Sequence, residues 1–346
     1  MEEGLIFITM INSLLNKTAI LVLNWNKPEI TMDCVESLNT MDGEYNIFVI
    51  DNGSDEIKRN KLIEKMKKKD ALILNEENIN NFNLNNIYNK NKKSNLNDKL
   101  TLLILLNKNY GYGKGNNFGL RLACRLGYKY SLVSNNDIKI IDRNVLTELI
   151  KGMETDEKIA WASPKIINIQ GYYEGPLPEF DFIDFCFTVE GVFYPFYVLF
   201  LRKKRKIEEQ KLLNKFNEGQ LEPKWLSGSF AFLRNETLNK GNFFDENIFL
   251  YFEELILSEK LLKKGFKLKY VPNVKVLHEH DYPTEGINFK KEYEATRSMI
   301  YYLRYYKNYN LFILNIAKLS RLFFLVVYRP IVVIIKKILK NKFKLS

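Results

Sequence analysis

The chain has 346 residues, enough for one large hydrophobic core or two modest ones, and its 46% hydrophobic and 27% charged content excludes a disordered protein. The formal net charge of +11 invites a nucleic-acid reading, but of the 52 basic residues 11 follow Glu294, after which no acid occurs; the other 41 match the 41 acids. A basic tail on a neutral body argues against nucleic acid and for an anionic lipid surface.

In chain order, the N-terminus, with Glu2, Glu3 and the short apolar run Leu5–Ile11, does not read as a secretory signal. Thr18–Asn24 is an apolar, branched run bounded by polar residues and predicts a buried strand. Pro28 opens a helix with Ile30, Cys34, Val35 and Leu38 at helical spacing, and Asn46–Ile50 is a second strand ending at the turn signal Asp51–Asp55. Strand, helix, strand within some thirty residues is a βαβ unit, so the expected class is α/β with a doubly wound, mostly parallel sheet. Residues 75–97, rich in Asn and Lys, read as a surface insertion.

Thr101–Leu106 predicts a strand, Gly111–Gly115 a glycine loop, Asn117–Leu126 a helix and Tyr130–Val133 another strand ending at Asp137. Residues 180–206 combine an aromatic run with the basic stretch Arg202–Lys206. Trp225–Phe232 resumes strand character, Phe252–Lys264 is helical, and Lys267–Val271 and Val274–Leu277 are short strands before His278. The three cysteines, Cys34, Cys124 and Cys186, are far apart and fit a reducing cytosol without structural zinc.

Asp51 and Asp137 both end predicted parallel strands, where doubly wound sheets bind ligands. The glycines between them are spaced G-x-G-x-G, not the dinucleotide G-x-G-x-x-G, and Lys114 within them suits a diphosphate.

The ordered blocks Ile20–Asn26, Val49–Ser54, Asn109–Gly119, Ser134–Asp137, Trp225–Ser229, Phe243–Glu246, Tyr251–Glu254, Gly265–Phe266 and Tyr270 to His278 resemble the family 2 glycosyltransferases, most of all their rhamnosyltransferase-like branch. The resemblance spans about Thr18 to Arg304 and implies a nucleotide-diphospho-sugar transferase (GT-A) domain over residues 18–304. It implies an inverting, metal-dependent transfer from a nucleotide-diphospho-sugar to a glycan or lipid-linked hydroxyl. Donor contacts would come from Asn24, Asn26, Asp51, Asn52, Lys114, Asn117 and Asn136. Asp137 and His278 would hold Mg²⁺ or Mn²⁺, Glu254 would be the catalytic base, and Trp225, Gly228 and Glu253 would meet the acceptor. Where that family usually has Glu-Asp-x-Asp, this chain has Glu253-Glu254-Leu255-Ile256, which keeps a second reading open: a degenerate transferase that binds a nucleotide sugar or a partner without turnover. Lys260 is expected to keep a cation near the site.

Residues 305–346 form a separate tail. Leu311–Leu339 is apolar but interrupted by Lys318, Arg321, Arg329, Pro330 and Lys336, and no window reaches the roughly 18 uncharged residues of a spanning helix. Lys307, Lys318, Arg321, Arg329, Lys336 and Lys340 project onto one side, which predicts an amphipathic helix, kinked near Pro330, lying on anionic lipid. The expected location is the inner face of the cell membrane, peripherally attached from the cytoplasm.

Overall fold

The computed structural model describes residues 14, 17–82, 100–176, 186–187, 190–279, 289–332 and 334. Most of the 75–97 insertion, the start of the aromatic run and the last twelve residues, with Lys336 and Lys340, lie outside the described residues. The chain divides into two compact units: Met1–Pro176 with Glu222–Phe249 and Glu253–His280, and Leu177–Leu221 with Leu250–Phe252 and Asp281–Ser346. The helix Phe289–Tyr305 groups with the tail in the second unit.

The first unit is built on a sheet whose nine described strands run in the order β3-β4-β2-β1-β5-β8-β7-β9-β6. β1 (Thr18–Asn24), β2 (Asn46–Asp51), β3 (Leu72–Asn75), β4 (Thr101–Leu105) and β5 (Tyr130–Asn135) are parallel to their neighbours, as the βαβ pattern predicts. Except in the edge strand β3, their apolar runs are buried on both faces, which is why they read as near-continuous hydrophobic stretches. Beyond β5 the sheet is mixed. β8 (Phe230–Arg234) runs antiparallel to both β5 and β7 (Ile159–Asn168), and β6 (Ile138–Ile140) antiparallel to β9 (Lys267–His278), while β7 and β9 are parallel. The strand expected over Trp225–Phe232 thus begins only at Phe230, and the two short strands before His278 are one.

The core of this unit gathers Ile20, Val22, Val49, Leu103, Leu132, Phe230, Phe232 and Val276 from the strands with Val35, Leu38, Leu146 and Ile150 from the helices Pro28–Leu38 and Val145–Glu154. At about 1.5–3 kcal/mol for each large apolar side chain removed from water, this burial is the main force holding the strand ends in register.

The second unit contains the helices Arg202–Asn217, Phe289–Tyr305 and Leu311–Phe323; wide-turn helical segments lead into the first at Tyr197–Leu201 and extend the last at Phe324–Tyr328. The second of these segments absorbs Pro330, which has no N–H to donate and whose ring crowds the carbonyl four residues back, so the helix continues to Val332. Over Leu311–Val332 it is long and apolar enough, by length and composition, to cross a membrane.

Of the expected cationic stripe, Lys307 and Lys318 are exposed among the described residues, while Arg321 and Arg329 turn to carboxylates. Arg321 is 4% exposed and pairs with Glu190 and, at 3.2 Å, Glu292; Arg329 also pairs with Glu292. The buried face carries Leu314, Ala317, Ser320 and Arg321, and the outward face carries Phe312, Leu319, Leu322 and Val326.

Candidate active site

The parallel register sets the carboxyl ends of β1, β2, β4 and β5 side by side: Asn24 beside Asp51, Asp51 beside Leu105, Leu23 beside Asn135. Polar residues cluster there because each strand's apolar run ends on a turn.

Asp51 is fully buried, and both its oxygens are engaged within the protein. Oδ1 accepts from Asn24 Nδ2 at 2.8 Å and from the Ser54 hydroxyl; Oδ2 accepts from Arg59 Nε at 2.8 Å and the Ser54 backbone N–H at 3.3 Å. The carboxylate expected to face a donor is therefore sealed behind the loop it organises, because strand-end turns leave their own N–H groups to be capped. Asn24 is also fully buried, its Oδ1 accepting from Thr31 Oγ1 at 2.8 Å. Asn52 pins the next loop, donating to Asn109 Oδ1 and Gly111 O at 3.0 Å and accepting from Tyr110 N at 3.0 Å. Asn117 does likewise with both backbone groups of Phe244. Of the seven expected donor contacts only Asn26, Lys114 and Asn136 keep part of their surface exposed. Lys114 lies over the Tyr110 ring and 3.5 Å from Glu246. Trp25, between the two buried turns, presents a 52% exposed indole at the same strand ends.

The glycine run is not a phosphate loop before a helix. The helix starts at Tyr112 and runs to Arg125, so Gly113, Gly115 and Gly119 are helical; Gly115 and Gly119 let it lie close to β1 and β2, and Gly113 faces Phe244 and Glu253. Gly111 caps it at φ +83°, where a Cβ would stand 2.1 Å from the Phe249 carbonyl oxygen.

Tyr112, the first residue of that helix, donates its hydroxyl to the Gly228 carbonyl at 2.9 Å. Burial, then the carboxylates of Glu253, Glu254 and Asp137, push the phenol well above its usual range, so it stays a neutral donor. Glu253 and Glu254 open the helix Glu253–Lys263. Glu253 is buried against Gly113. Glu254 is half-buried beside Gly228, where a Cβ would stand 3.3 Å from the Glu254 Cβ and 3.9 Å from its Oε2. Burial raises the Glu254 carboxyl above the usual carboxylate range, and the charge of Glu174 adds to this. Ile256 is fully buried, a place that suits an apolar side chain better than a second acid. The Lys260 ammonium donates to the Phe243 carbonyl at 2.6 Å, and burial lowers its pKa.

Asp137 and His278 are 141 residues apart in sequence and meet through the β6–β9 pairing, which sets Ile138 opposite His278. His278 Nε2 stands 3.0 Å from Asp137 Oδ1, and Nδ1 stands 2.8 and 2.9 Å from the two oxygens of Glu174. Burial works against a charged ring, but the two carboxylates outweigh it and hold His278 protonated up to about 9. Among the described residues no three His, Cys, Asp or Glu side chains form a metal cage. The donor set itself, a carboxylate oxygen beside an imidazole nitrogen, is of the kind that takes Mg²⁺ or Mn²⁺, with further ligands needed to complete its shell. Glu174 escaped the sequence reading, because nothing near it marks it as functional; so did Tyr112, which looked like one aromatic in a glycine run.

No family model matches the chain. Two solved structures resemble it over 90% of its length: a mannosyltransferase from Pyrobaculum calidifontis in complex with GDP-Man and Mn²⁺ (TM-score 0.52, 10% identity, 70% of that chain) and GalNAc-T7 with UDP, GalNAc and Mn²⁺ (TM-score 0.51, 14% identity, 56% of that chain). The fold is that of the GT-A nucleotide-diphospho-sugar transferases, as the resemblance implied. In sequence, the chain is 35% identical over 74 residues to the N-acetylglucosaminyl-diphospho-decaprenol L-rhamnosyltransferase of Mycobacterium tuberculosis, in each of two strains. That match spans 20% of this chain and about a quarter of the relatives' length, 24%.

Proposed function

We propose that the chain is an inverting, metal-dependent glycosyltransferase, rhamnosyltransferase-like, that moves a sugar from a nucleotide-diphospho-sugar to a hydroxyl of a lipid-linked or glycan acceptor. The observation that carries this is the meeting of Asp137 and His278 at the carboxyl-end rim of a GT-A sheet, the rim that also carries Asn136 and Lys114. The two solved structures of this fold hold Mn²⁺ with a nucleotide or nucleotide sugar, and the partial relative is named for a lipid-diphosphate acceptor. Both facts support the reading.

In this scheme Asp137 and His278 hold Mg²⁺ or Mn²⁺. A bound cation supplies positive charge against the diphosphate that departs. Lys114, half-exposed at the start of its helix, adds charge to the same phosphates, while Asn26 and Asn136 orient the donor. Asp51, Asn24, Asn52 and Asn117 act from behind, holding the loops in place. Glu254 removes the proton of the acceptor hydroxyl as its oxygen attacks the anomeric carbon. The new C–O bond forms as the bond to the diphosphate oxygen breaks, the electron pair leaves with the diphosphate, and the proton stays on Glu254. Trp225 packs its ring against Gly175, and its buried indole N–H finds no acceptor among the described residues, so it is suited to an acceptor hydroxyl. Glu253 and Gly228 shape the same side.

The second unit suits an acceptor held in a membrane. The outward face of Leu311–Val332 is apolar, and Phe196, Leu199 and Phe200 are exposed just ahead of the solvent-facing Arg202, Lys203 and Lys204.

The test is a screen of nucleotide sugars for stabilisation against heat with Mn²⁺ present. One donor should raise the Tm, by an amount that grows with its concentration, and chelation or Asp137→Ala should erase the shift. A donor shift that survives both would overturn the metal assignment.

A further inference from the structure

Glu174 has no part in the scheme above, yet it is the best-placed carboxylate around His278. β7 and β9 are paired so that Asn168 lies opposite His278. The chain then turns back: Asn168 N donates to Tyr172 O at 2.9 Å, and Glu174 N to Ile166 O at 3.0 Å. This lays Glu174 along the end of β9. Its two oxygens stand 2.9 and 2.8 Å from His278 Nδ1, and Oε2 also accepts from the Ser229 hydroxyl at 3.3 Å. The imidazole is thereby held edge-on between Glu174 and Asp137, its side chain 8% exposed.

We propose that Glu174 is a positioning residue for cation binding: its carboxylate keeps His278 Nδ1–H turned to itself and so presents Nε2, beside Asp137 Oδ1, to the divalent ion. The proposal rests on the metal reading of Asp137 and His278. Its physical basis is that a carboxylate only accepts, so both ring nitrogens carry hydrogen while each faces one; a cation beside Asp137 would replace the hydrogen on Nε2, and Glu174 would keep the one on Nδ1, leaving the Nε2 lone pair to the ion. An amide at the same place breaks this rule. Glutamine has the same shape, but its N–H₂ can donate to Nδ1 and so favour the ring form with hydrogen on Nε2, which cannot ligate.

The experiment titrates Mn²⁺, with and without inorganic pyrophosphate, into the full chain and its Glu174→Gln, Glu174→Ala and Asp137→Ala variants. Free Mn²⁺ is read by electron paramagnetic resonance, and folding is checked by circular dichroism. Both Glu174 variants should weaken binding about tenfold or more, and Asp137→Ala should abolish it. A side chain that only filled space would leave the glutamine variant at wild-type affinity. In a His280→Asn background His278 is the sole imidazole, and its nitrogen-15 spectrum with Mg²⁺ and pyrophosphate should show hydrogen on Nδ1 with Glu174 present and a mixture with glutamine.

If Asp137→Ala loses Mn²⁺ while a folded Glu174→Gln does not, the role of Glu174 is overturned and the metal reading stands. Hydrogen found on Nε2 with Glu174, Mg²⁺ and pyrophosphate present overturns it too. If Asp137→Ala binds undiminished, the metal reading fails and the role of Glu174 falls with it. Should Glu174→Ala not fold, the glutamine variant alone decides.

Discussion

Glu254 stands where its neighbours have made a carboxylate a better base. Burial raises its affinity for a proton, and the side-chain-free Gly228 lies beside its carboxylate. Glu254→Gln keeps the shape and removes the base, so transfer should fall by roughly a hundred- to ten-thousand-fold with donor affinity unchanged. Full turnover in that variant would show that the base is another group. The sign of the pH effect follows from the raised pKa. At a pH where an exposed glutamate is already ionised, Glu254 still carries its proton and cannot accept another. The rate should therefore climb as pH rises through a value above the ordinary carboxylate range, and this limb should vanish from what activity Glu254→Gln retains. A limb at the usual carboxylate pKa would mean that burial does not tune this group.

At the level of elements, the Tyr112–Arg125 helix depends on one backbone position. Gly111 combines φ +83° with ψ −179°, a region other residues scarcely enter, and the Phe249 carbonyl occupies the place of a side chain. Gly111→Ala should cost at least about 2 kcal/mol in urea unfolding, and it should weaken donor binding because Lys114 sits on the first turn it displaces. Unchanged stability would mean that the turn can relax. Strands β1, β2, β4 and β5 were legible because each is an apolar run closed by turn residues. β3 and β6 are four and three residues long, too short for a pattern to show. β9 reads as two strands because Pro272 and Asn273 interrupt its apolar run, and its pairing with β7 shifts register there, from Val271 to Lys275. At the site, the sequence marks which polar residues end strands but not which way they turn. Asp51 and Asn52 turn inward to cap loops, while Asp137 meets a histidine brought to it by strand pairing. Glu174 comes from a chain reversal 104 residues away from its partner, a distance over which no local pattern speaks.

For the whole molecule, the question is what covers the outward face of Leu311–Val332. A helix lying on water would turn its arginines out and its leucines in; this one buries Arg321 between carboxylates and leaves Leu319 64% and Phe312 73% exposed. With Arg321 and Arg329 paired to carboxylates inside the unit, the helix keeps exposed Lys318 but gives up much of the electrostatic hold on anionic lipid that a full cationic stripe would supply, and its attraction to a bilayer is mainly apolar. The exposed Arg202, Lys203, Lys204 and Lys206, with Lys318 on the helix itself, add a surface-charge term, about 1 kcal/mol for each cation near an anionic surface. Co-sedimentation with phosphatidylglycerol–phosphatidylcholine vesicles should therefore weaken but persist at about 1 M salt, where the screening length is roughly 3 Å. Leu319→Glu with Leu322→Glu should reduce it at least tenfold at any salt, since each large apolar side chain contributes about 1.5–3 kcal/mol when it leaves water. Lys203→Glu with Lys204→Glu should lower only the salt-sensitive part. Complete release by salt would return the attachment to the cationic stripe. Failure to bind vesicles, together with concentration-dependent dimers in analytical centrifugation, would assign the apolar face to a second copy of the chain.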